Sequence, residues 1–338
     1  MKFGLFGGAS RGPGKDSDSQ AYRHFIDYVV EAERLGFESV FLVEHHFTGT
    51  GQLSASLTLL AYLAGLTTKM RLGTAVTVMP WHNPVLLAEQ AATVDLVSNG
   101  RLDFGVGRGY RPNEFHGFCI DPNEAQIRFE EALDLVLKSW TTKERFSFDG
   151  KYWHFRDVVV EPHPFQTPHP PIWVAAGSEG SIRKAAAHGQ HVLFDQFGTA
   201  EQTAQRVAWY RDEQRKKDIA AKPGQIAVTR GLLLIESEDQ RATEIDRRLA
   251  AIAHLSATSQ IPGTKSDGPT QFGSSTIDAS RAAVETSTII GRPDECIQRL
   301  RDLEKAGVDY VLFSDPWGGV DRLRHFARAV MPAFTAQA

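Results

Sequence analysis

The feature that most constrains the fold of this chain is an alternation of short apolar segments with longer segments of helical periodicity. The apolar segments are residues 3–6, 39–43, 71–78, 102–106, 172–176, 191–194, 226–235 and 310–314. In the helical segment 18–35, Phe25, Val29 and Ala32 recur at the spacing of one helix face. Eight such units predict parallel strands covered by helices. The sequence therefore predicts one α/β domain over residues 1–338, a single (β/α)8 TIM barrel.

Two segments interrupt the alternation. Residues 145–160, with an Asp149-Gly150 turn, predict a hairpin inserted after strand four. Residues 258–279, before the last β/α unit, are rich in Gly, Ser, Thr and Pro. A segment of this length without regular structure is either a lid or disordered, and the sequence does not distinguish the two.

Charge, apolar runs and cysteine content argue against several classes of protein. The chain has 37 Lys plus Arg and 41 Asp plus Glu, a formal charge of −4, which gives no electrostatic reason to expect nucleic acid or an anionic membrane as partner. The apolar run 53–66 is interrupted by Ser and Thr, and the opening MKFGLFGG lacks an export signal. Cys119 and Cys296 form no disulfide framework or zinc signature. We therefore expect a cytoplasmic protein.

Catalytic residues in such a barrel lie at the carboxyl ends of the strands. Strand two runs directly into His45 and His46, and the alternation of an extended chain points the two side chains in opposite directions. A histidine at the barrel mouth can act as a general base, and the alternative is a pair of structural histidines. A metal site that adds His82 and His116 is a further option, but it lacks the spacing of zinc motifs, so we expect no metal.

Three other strand ends suit a ligand. Residues 73–77 are mostly small, which lets a flat ring approach the backbone. Residues 105–110 contain three glycines beside Arg108, a natural partner of phosphate. Ser178 and Ser181 stand where a helix begins, so they act either as an anion cradle or as simple caps.

Aromatic residues cluster near the predicted mouth, where they suit a pocket that excludes water. Some of them are expected to be ordinary core residues. The cluster comprises Phe6, Phe47, Trp81, Tyr110, Phe115, Phe118 and Trp317.

Taken together, these segments resemble the bacterial-luciferase-like flavin-dependent monooxygenases. The matching stretches are 1–6, 42–48 with its Glu-His-His-Phe-Thr string, 72–80, 82–84 and, most specifically, Gly-Arg-Leu-Asp-Phe-Gly-Val-Gly-Arg-Gly at 100–109. The likeness is nearly gapless over roughly the first 140 residues, and it is weaker but traceable through 171–181 and 291–293.

The resemblance implies a homodimeric enzyme that uses reduced FMN and O2. The reduced FMN would come from a separate NAD(P)H:flavin reductase, and a flavin C4a-hydroperoxide would oxygenate a small apolar substrate, an aldehyde or ketone being favoured. Helices 53–66 and 84–97, rich in small and apolar residues, suit a dimer, although they would equally pack on their own barrel.

The resemblance also assigns residues. His45 falls on the catalytic histidine, and the Ala75-Val76 bond falls on a non-prolyl cis peptide beneath the flavin ring. The expected cofactor contacts are Phe6, Ala75, Val76, Arg108, Tyr110, Ala175, Gly177, Ser178 and Ser181. The expected substrate pocket is Phe47, Trp81, Phe115 and Trp317.

Two positions depart from the luciferase α chain. Gly107 replaces a reactive cysteine and Gly177 replaces a glutamate, which argues against thiol chemistry and weakens the match at the phosphate. Two other functions stay open: a deazaflavin-dependent hydride transfer on the same fold, and a non-catalytic flavin-binding protein. The strings at 44–48 and 107–109 favour FMN.

Overall fold

A closed barrel forms the centre of the molecule. The computed structural model describes residues 1–11, 17–264, 271–272, 275–314 and 319–334, and within them eight parallel strands form the barrel. The strands are β1 (Lys2–Gly7), β2 (Ser39–Leu42), β3 (Arg71–Thr74), β4 (Leu102–Gly107), β5 (Ile172–Ala175), β6 (His191–Phe194), β7 (Ile226–Arg230) and β8 (Tyr310–Phe313). Their order is β3-β2-β1-β8-β7-β6-β5-β4, and pairing of β3 with β4 closes the ring. The predicted (β/α)8 barrel is confirmed.

Helices surround this barrel. The α-helices of the described residues are α1 (Asp18–Arg34), α2 (Ser56–Leu66), α3 (Pro84–Val97), α4 (Pro112–Gly117), α5 (Ala125–Thr141), α6 (Glu179–Ala187), α7 (Ala200–Lys216), α8 (Glu238–Thr258), α9 (Arg281–Ser287), α10 (Pro293–Lys305) and α11 (Gly319–Ala329). Most begin at a capping residue; at Ser17, for example, the side chain accepts from Gln20 N and the Gln20 side chain accepts from Ser17 N. None of the helices in the described part of the chain is long and apolar enough to cross a membrane.

Two predicted strands are each divided in two. The segment 71–78 is interrupted at Ala75-Val76, whose peptide bond is cis as the resemblance implies, and resumes as Thr77–Val78. The segment 226–235 breaks at Gly231, after which Leu232–Leu234 leaves the barrel and pairs with Ile289–Gly291. Both halves of each segment are buried, so the apolar sequence pattern continues across the break. The pattern therefore does not show where the strand is interrupted.

The insertions lie at the two predicted places. Phe146–Asp149 and His154–Val158 pair as an antiparallel hairpin between α5 and β5. Of the irregular segment 258–279, residues 265–270 and 273–274 lie outside the described residues. Its remainder includes the short pair Gln271–Phe272 and Ser275–Thr276. A satellite core packs α8 and α9 over the strand pair at 232–234 and 289–291; it comprises Leu233, Ile235, Ile245, Ile252, Ile277, Val284 and Ile290.

The barrel interior is filled by a compact cluster of side chains, which sets the level at which a ligand can sit. Its buried members are Phe41, Trp173, Leu193, Ala227, Tyr310 and Leu312. Phe6, Ala75 and Val76 pack against this cluster and are only partly buried. These three residues therefore form the upper surface of the filled interior, at the carboxyl ends of the strands.

Candidate active site

A cavity of about 810 Å³ opens over this surface. It is lined from the carboxyl ends of the strands and from α5, α6 and α8. The structure brings together here the catalytic residue and all the cofactor-contact residues expected from the sequence, namely Phe6, His45, Ala75, Val76, Arg108, Tyr110, Ala175, Gly177, Ser178 and Ser181. The cavity is therefore the candidate active site.

Gly107, which ends β4, lies against the cis peptide at the floor of the cavity. A Cβ added at Gly107 would lie 2.4 Å from Val76 Cγ2. Glycine thus permits the Val76 side chain to pack closely against β4.

Three residues expected in the substrate pocket lie outside the cavity lining. Phe47, Trp81 and Phe115 instead form an aromatic cluster with Phe118, whose ring lies 4.9 Å from Phe47 and 5.0 Å from Trp81. Trp81 and Phe115 are 4.6 Å apart. Trp317 lies outside the described residues.

The structure thus places these three aromatic residues beside the cavity and not among the residues that line it. Phe47 has a positive φ of 58° and is 57% exposed, so the chain turns away from the barrel axis there. Trp81 and Phe115 instead pack behind the lining residue Gly109, where an added Cβ would lie 3.1 Å from Trp81 Cζ2 and 3.5 Å from Phe115 Cζ. The cluster supports the cavity wall from outside.

His45 lines the cavity and contacts a fully buried carboxylate. Its Nδ1 lies 3.1 Å from Glu114 Oε1, and the same oxygen accepts from His46 N at 2.9 Å. Because Glu114 is the acceptor, the neutral imidazole donates from Nδ1, and this leaves Nε2 as an acceptor. Burial, and then the charge of Arg111, lower the pKa of His45 to about 4. His45 is therefore neutral at pH 7.

His46, unlike His45, is not among the residues that line the cavity. Its Nε2 lies 3.2 Å from Glu44 Oε1, which also contacts His82 Nε2 at 2.8 Å. Burial alone would raise the pKa of Glu44, but these two hydrogen bonds outweigh burial and lower it. His116 is exposed on α4. In the described part of the chain, no three His, Cys, Asp or Glu side chains are grouped so that they could hold a metal ion.

Sequence reasoning missed two charged residues of the site. Arg111 and Glu114 line the cavity and are fully buried. Among the described residues, Arg111 Nη2 and Glu114 Oε2 have no hydrogen-bond partner. Buried polar atoms without partners are costly, so they mark a place where a ligand or water is expected. The available signal was the Arg-Pro-Asn-Glu string at 111–114, which opens α4 directly after the glycine-rich strand end.

The opposite end of the cavity suits an anion. Ser178 caps α6: its Oγ accepts from Ser181 N at 3.3 Å and lies 2.9 Å from Ser181 Oγ. Arg108 is exposed there and donates to Gln126 Oε1 at 3.5 Å. Amide groups at a helix start, two hydroxyls and a guanidinium are the donors that bind phosphate.

The lowered pKa of His45 leads to a testable prediction. As the pH is lowered from 7, we expect the His45 imidazole to become protonated near its pKa of about 4, rather than near the usual pKa of 6.5. Because the unfolded chain binds this proton at higher pH than the folded chain, the free energy of unfolding should fall as pH drops from 6.5 towards 4. NMR titration of labelled histidines, with the His45 signal assigned in His45→Gln, measures the pKa directly.

Arg111→Met should raise the pKa of His45, because it removes a nearby positive charge. The unsubstituted protein, titrated under the same conditions, is the reference for this shift. A His45 signal that titrates near 6.5 in the unsubstituted protein would contradict this account of the site.

Known proteins place the chain in a family. The family model described as luciferase-like monooxygenase matches residues 1–310. The oxygenase component of the flavin-dependent trigonelline monooxygenase of Acinetobacter baylyi is 26% identical over 99% of this chain and 96% of its own length. An uncharacterised protein of Sinorhizobium fredii is 36% identical, but this match spans only 57% of this chain and 55% of that protein.

Three solved structures have the same fold as this chain. The monooxygenase RslO1 from Streptomyces bottropensis has a TM-score of 0.84 at 28% identity, with 99% of this chain and 100% of that chain covered. Two further structures share the fold at TM-score 0.76: the oxygenating constituent of 3,6-diketocamphane monooxygenase from Pseudomonas putida in complex with FMN, at 18% identity, and an F420-dependent secondary alcohol dehydrogenase, at 15%. They cover 98% and 99% of both chains respectively. The chain belongs to the luciferase-like monooxygenase family.

Proposed function

We propose that this protein oxygenates a small organic substrate with O2 and reduced FMN, which a separate NAD(P)H:flavin reductase supplies. The observation that carries the proposal is one cavity that joins three features: a floor of Phe6, Ala75 and Val76, the His45–Glu114 pair and the capped start of α6. The floor suits the flavin ring, the His45–Glu114 pair suits proton transfer, and the start of α6 suits the phosphate. We further propose a cytoplasmic enzyme with one domain over residues 1–338.

The residues of the cavity fit FMN. Phe6, Ala75 and Val76 offer an apolar surface for the ring, Gly107 lets Val76 pack closely against β4, and the hydroxyls of Ser178 and Ser181 suit the phosphate together with Arg108. Bound reduced FMN would supply the activation of O2, and these residues would hold it over the floor of the cavity.

The chain's own residues would bind and orient the reacting groups and shield them from water. His45 Nε2 is available to accept a hydrogen bond or proton from a group above the floor. The oxygen of an aldehyde or ketone is an acceptor of the kind that Arg111 Nη2 lacks, which favours a carbonyl substrate. The cluster of Trp81, Phe115 and Phe118 closes the wall behind the site and limits the entry of water.

An oxygen-uptake assay distinguishes this function from its rivals. The protein is mixed anaerobically with reduced FMN or with a reduced deazaflavin, O2 is admitted, and a panel of aldehydes and ketones is screened for oxygenated product. We expect product with reduced FMN only. Hydride transfer from the deazaflavin without O2 consumption would support the deazaflavin alternative, and FMN binding without any product across a broad panel would support a flavin-binding role.

We also propose a homodimer formed through α2 and α3. These helices expose a group of large apolar side chains, which costs free energy if they remain in water: Tyr62, Leu66, Leu86, Leu96 and Val97. Leu86→Arg should produce a monomer in sedimentation velocity, whereas Ile127→Arg, at an exposed apolar position on α5, should not change the mass. A monomeric unsubstituted protein at micromolar concentration would refute the dimer.

A further inference from the structure

The cavity continues beyond the start of α6 as a groove between α5 and α6. It is lined by Ser178 and His188, the two caps of α6, and by Ser181 and Lys184 between them on one face of the helix. The ten steps from Ser178 to His188 extend about 15 Å at the rise of an α-helix. On the α5 side the lining includes Gln126, Glu130 and Asp134. Since α5 packs on α3 and α6 packs on α7, the groove lies between two helix pairs.

Hydrogen bonds cross this groove in a continuous chain. Arg108 Nη1 donates to Gln126 Oε1 at 3.5 Å, and Gln126 Nε2 donates to Glu130 Oε1 at 2.7 Å. Lys184 Nζ donates to the same Glu130 oxygen at 2.5 Å. Glu130 thus links two cations of the groove: it contacts Lys184 directly and Arg108 through the side chain of Gln126.

Lys184 is placed to reach the start of α6. It follows Ser181 by three residues, so the two side chains are neighbours on one helix face. Long side chains on a helix lean towards its N-terminus, so the cap at Ser178 is within the range of conformations open to Lys184, whose ammonium contacts Glu130 in the structure. Both members of the ion pair are accessible, with 57% of the Lys184 side chain and 42% of the Glu130 side chain exposed.

We propose that Lys184 is a ligand of the FMN phosphate and that Glu130 competes with the phosphate for it. This inference rests on the proposed function, since it assumes that FMN binds with its phosphate at Ser178 and Ser181. When the phosphate is absent, Lys184 is held by Glu130; when the phosphate binds, Lys184 turns from the carboxylate to the phosphate oxygens.

The energetics favour such an exchange. Exposed ion pairs contribute only about 0–1 kcal/mol, so Lys184 leaves Glu130 at little cost. A phosphate dianion offers shorter, charge-assisted hydrogen bonds. The hydrogen bond from Lys184 is also the main reason why the pKa of Glu130 lies below its usual value, so the carboxylate stays charged and repels the incoming phosphate. Glu130 therefore weakens FMN binding, which suits an enzyme that must exchange flavin with a reductase.

Binding of FMN and riboflavin tests the proposal without any turnover. Dissociation constants are measured from quenching of flavin fluorescence for the full chain and for Lys184→Met and Glu130→Gln. Lys184→Met should weaken FMN binding about tenfold, the effect of one charge-assisted hydrogen bond. Glu130→Gln should strengthen FMN binding several-fold because it removes a like charge. Riboflavin, which lacks the phosphate, should bind all three proteins equally.

Control measurements distinguish a failure of the Lys184 contact, a failure of the competition by Glu130 and a failure of the proposed function. Lys138→Met, which removes a partly buried cation of α5 outside the groove lining, should leave both affinities unchanged. Equal losses for FMN and riboflavin in Lys184→Met would overturn the phosphate contact. A Glu130→Gln protein that binds FMN no more tightly than the unsubstituted protein would overturn the competition. If the unsubstituted protein binds riboflavin as tightly as FMN, the phosphate site of the proposed function fails, and this inference fails with it.

Discussion

Replacement of His45 by alanine is expected to lower the rate of coupled substrate oxygenation by about 10²–10⁴-fold, the usual contribution of a positioned acid–base group. The imidazole contacts the fully buried Glu114 at the carboxyl end of β2, whereas the other two histidines that line the cavity, His188 and His254, are carried by the C-terminal end of α6 and by α8. Binding of FMN should be unaffected, because the proposed ring and phosphate contacts lie on other strands. Product formation per reduced FMN consumed is the direct measurement.

A matched variant isolates the effect of the site. His116→Ala removes an exposed histidine of α4, the helix that carries Glu114, and should keep full turnover. If His45→Ala and His116→Ala gave the same coupled turnover, the role assigned to His45 would be wrong. A variant that still consumes O2 but releases peroxide without product would show that His45 acts on oxygen transfer and not on flavin binding.

Gly105→Ala is expected to destabilise the barrel by roughly 3 kcal/mol or more, a value typical of severe overpacking. A Cβ at Gly105 would lie 1.7 Å from the carbonyl oxygen of Thr74. The Thr74 hydroxyl also donates to Gly105 O at 2.6 Å and accepts from Gly105 N at 2.8 Å, so the two strands cannot separate without loss of both bonds. The contact lies where β3 ends, directly before the cis peptide of the cavity floor.

Urea unfolding measures this effect. Gly65→Ala, in α2, is the control, because an added Cβ there meets no atom within 4 Å. It should be neutral or stabilise by up to about 1 kcal/mol, the helix propensity difference between the two residues. Equal midpoints for Gly105→Ala and Gly65→Ala would contradict the close packing of β3 on β4.

Much of the fold could be predicted because its signals are local. Each strand is a short apolar run and each helix has its own periodicity, so the order of elements can be read without knowledge of their contacts. The rule that places chemistry at the carboxyl ends of strands then selected His45, Arg108 and Ser178, all of which line the cavity. The breaks at 75–76 and 231 were not predictable in this way, because burial continues across them.

The polar part of the site depends on contacts between distant segments. Glu114 lies 69 residues from His45 in the chain, and Lys184 lies 54 residues from Glu130. Neither pair has a periodicity or motif of its own that would reveal it. The position of the aromatic rings was not predictable for a related reason: sequence shows that Phe47, Trp81 and Phe115 follow strand ends, but not on which side of the cavity wall their rings pack.

The central claim is that this cavity holds reduced FMN while it reacts with O2. Stopped-flow absorbance after mixing the protein and reduced FMN with oxygenated buffer tests it most directly. The account predicts a long-lived species, distinct from both reduced and oxidised flavin, whose decay changes when a carbonyl substrate is added. Reoxidation of the flavin at the rate of free FMN, with no such species at saturating protein, would contradict it.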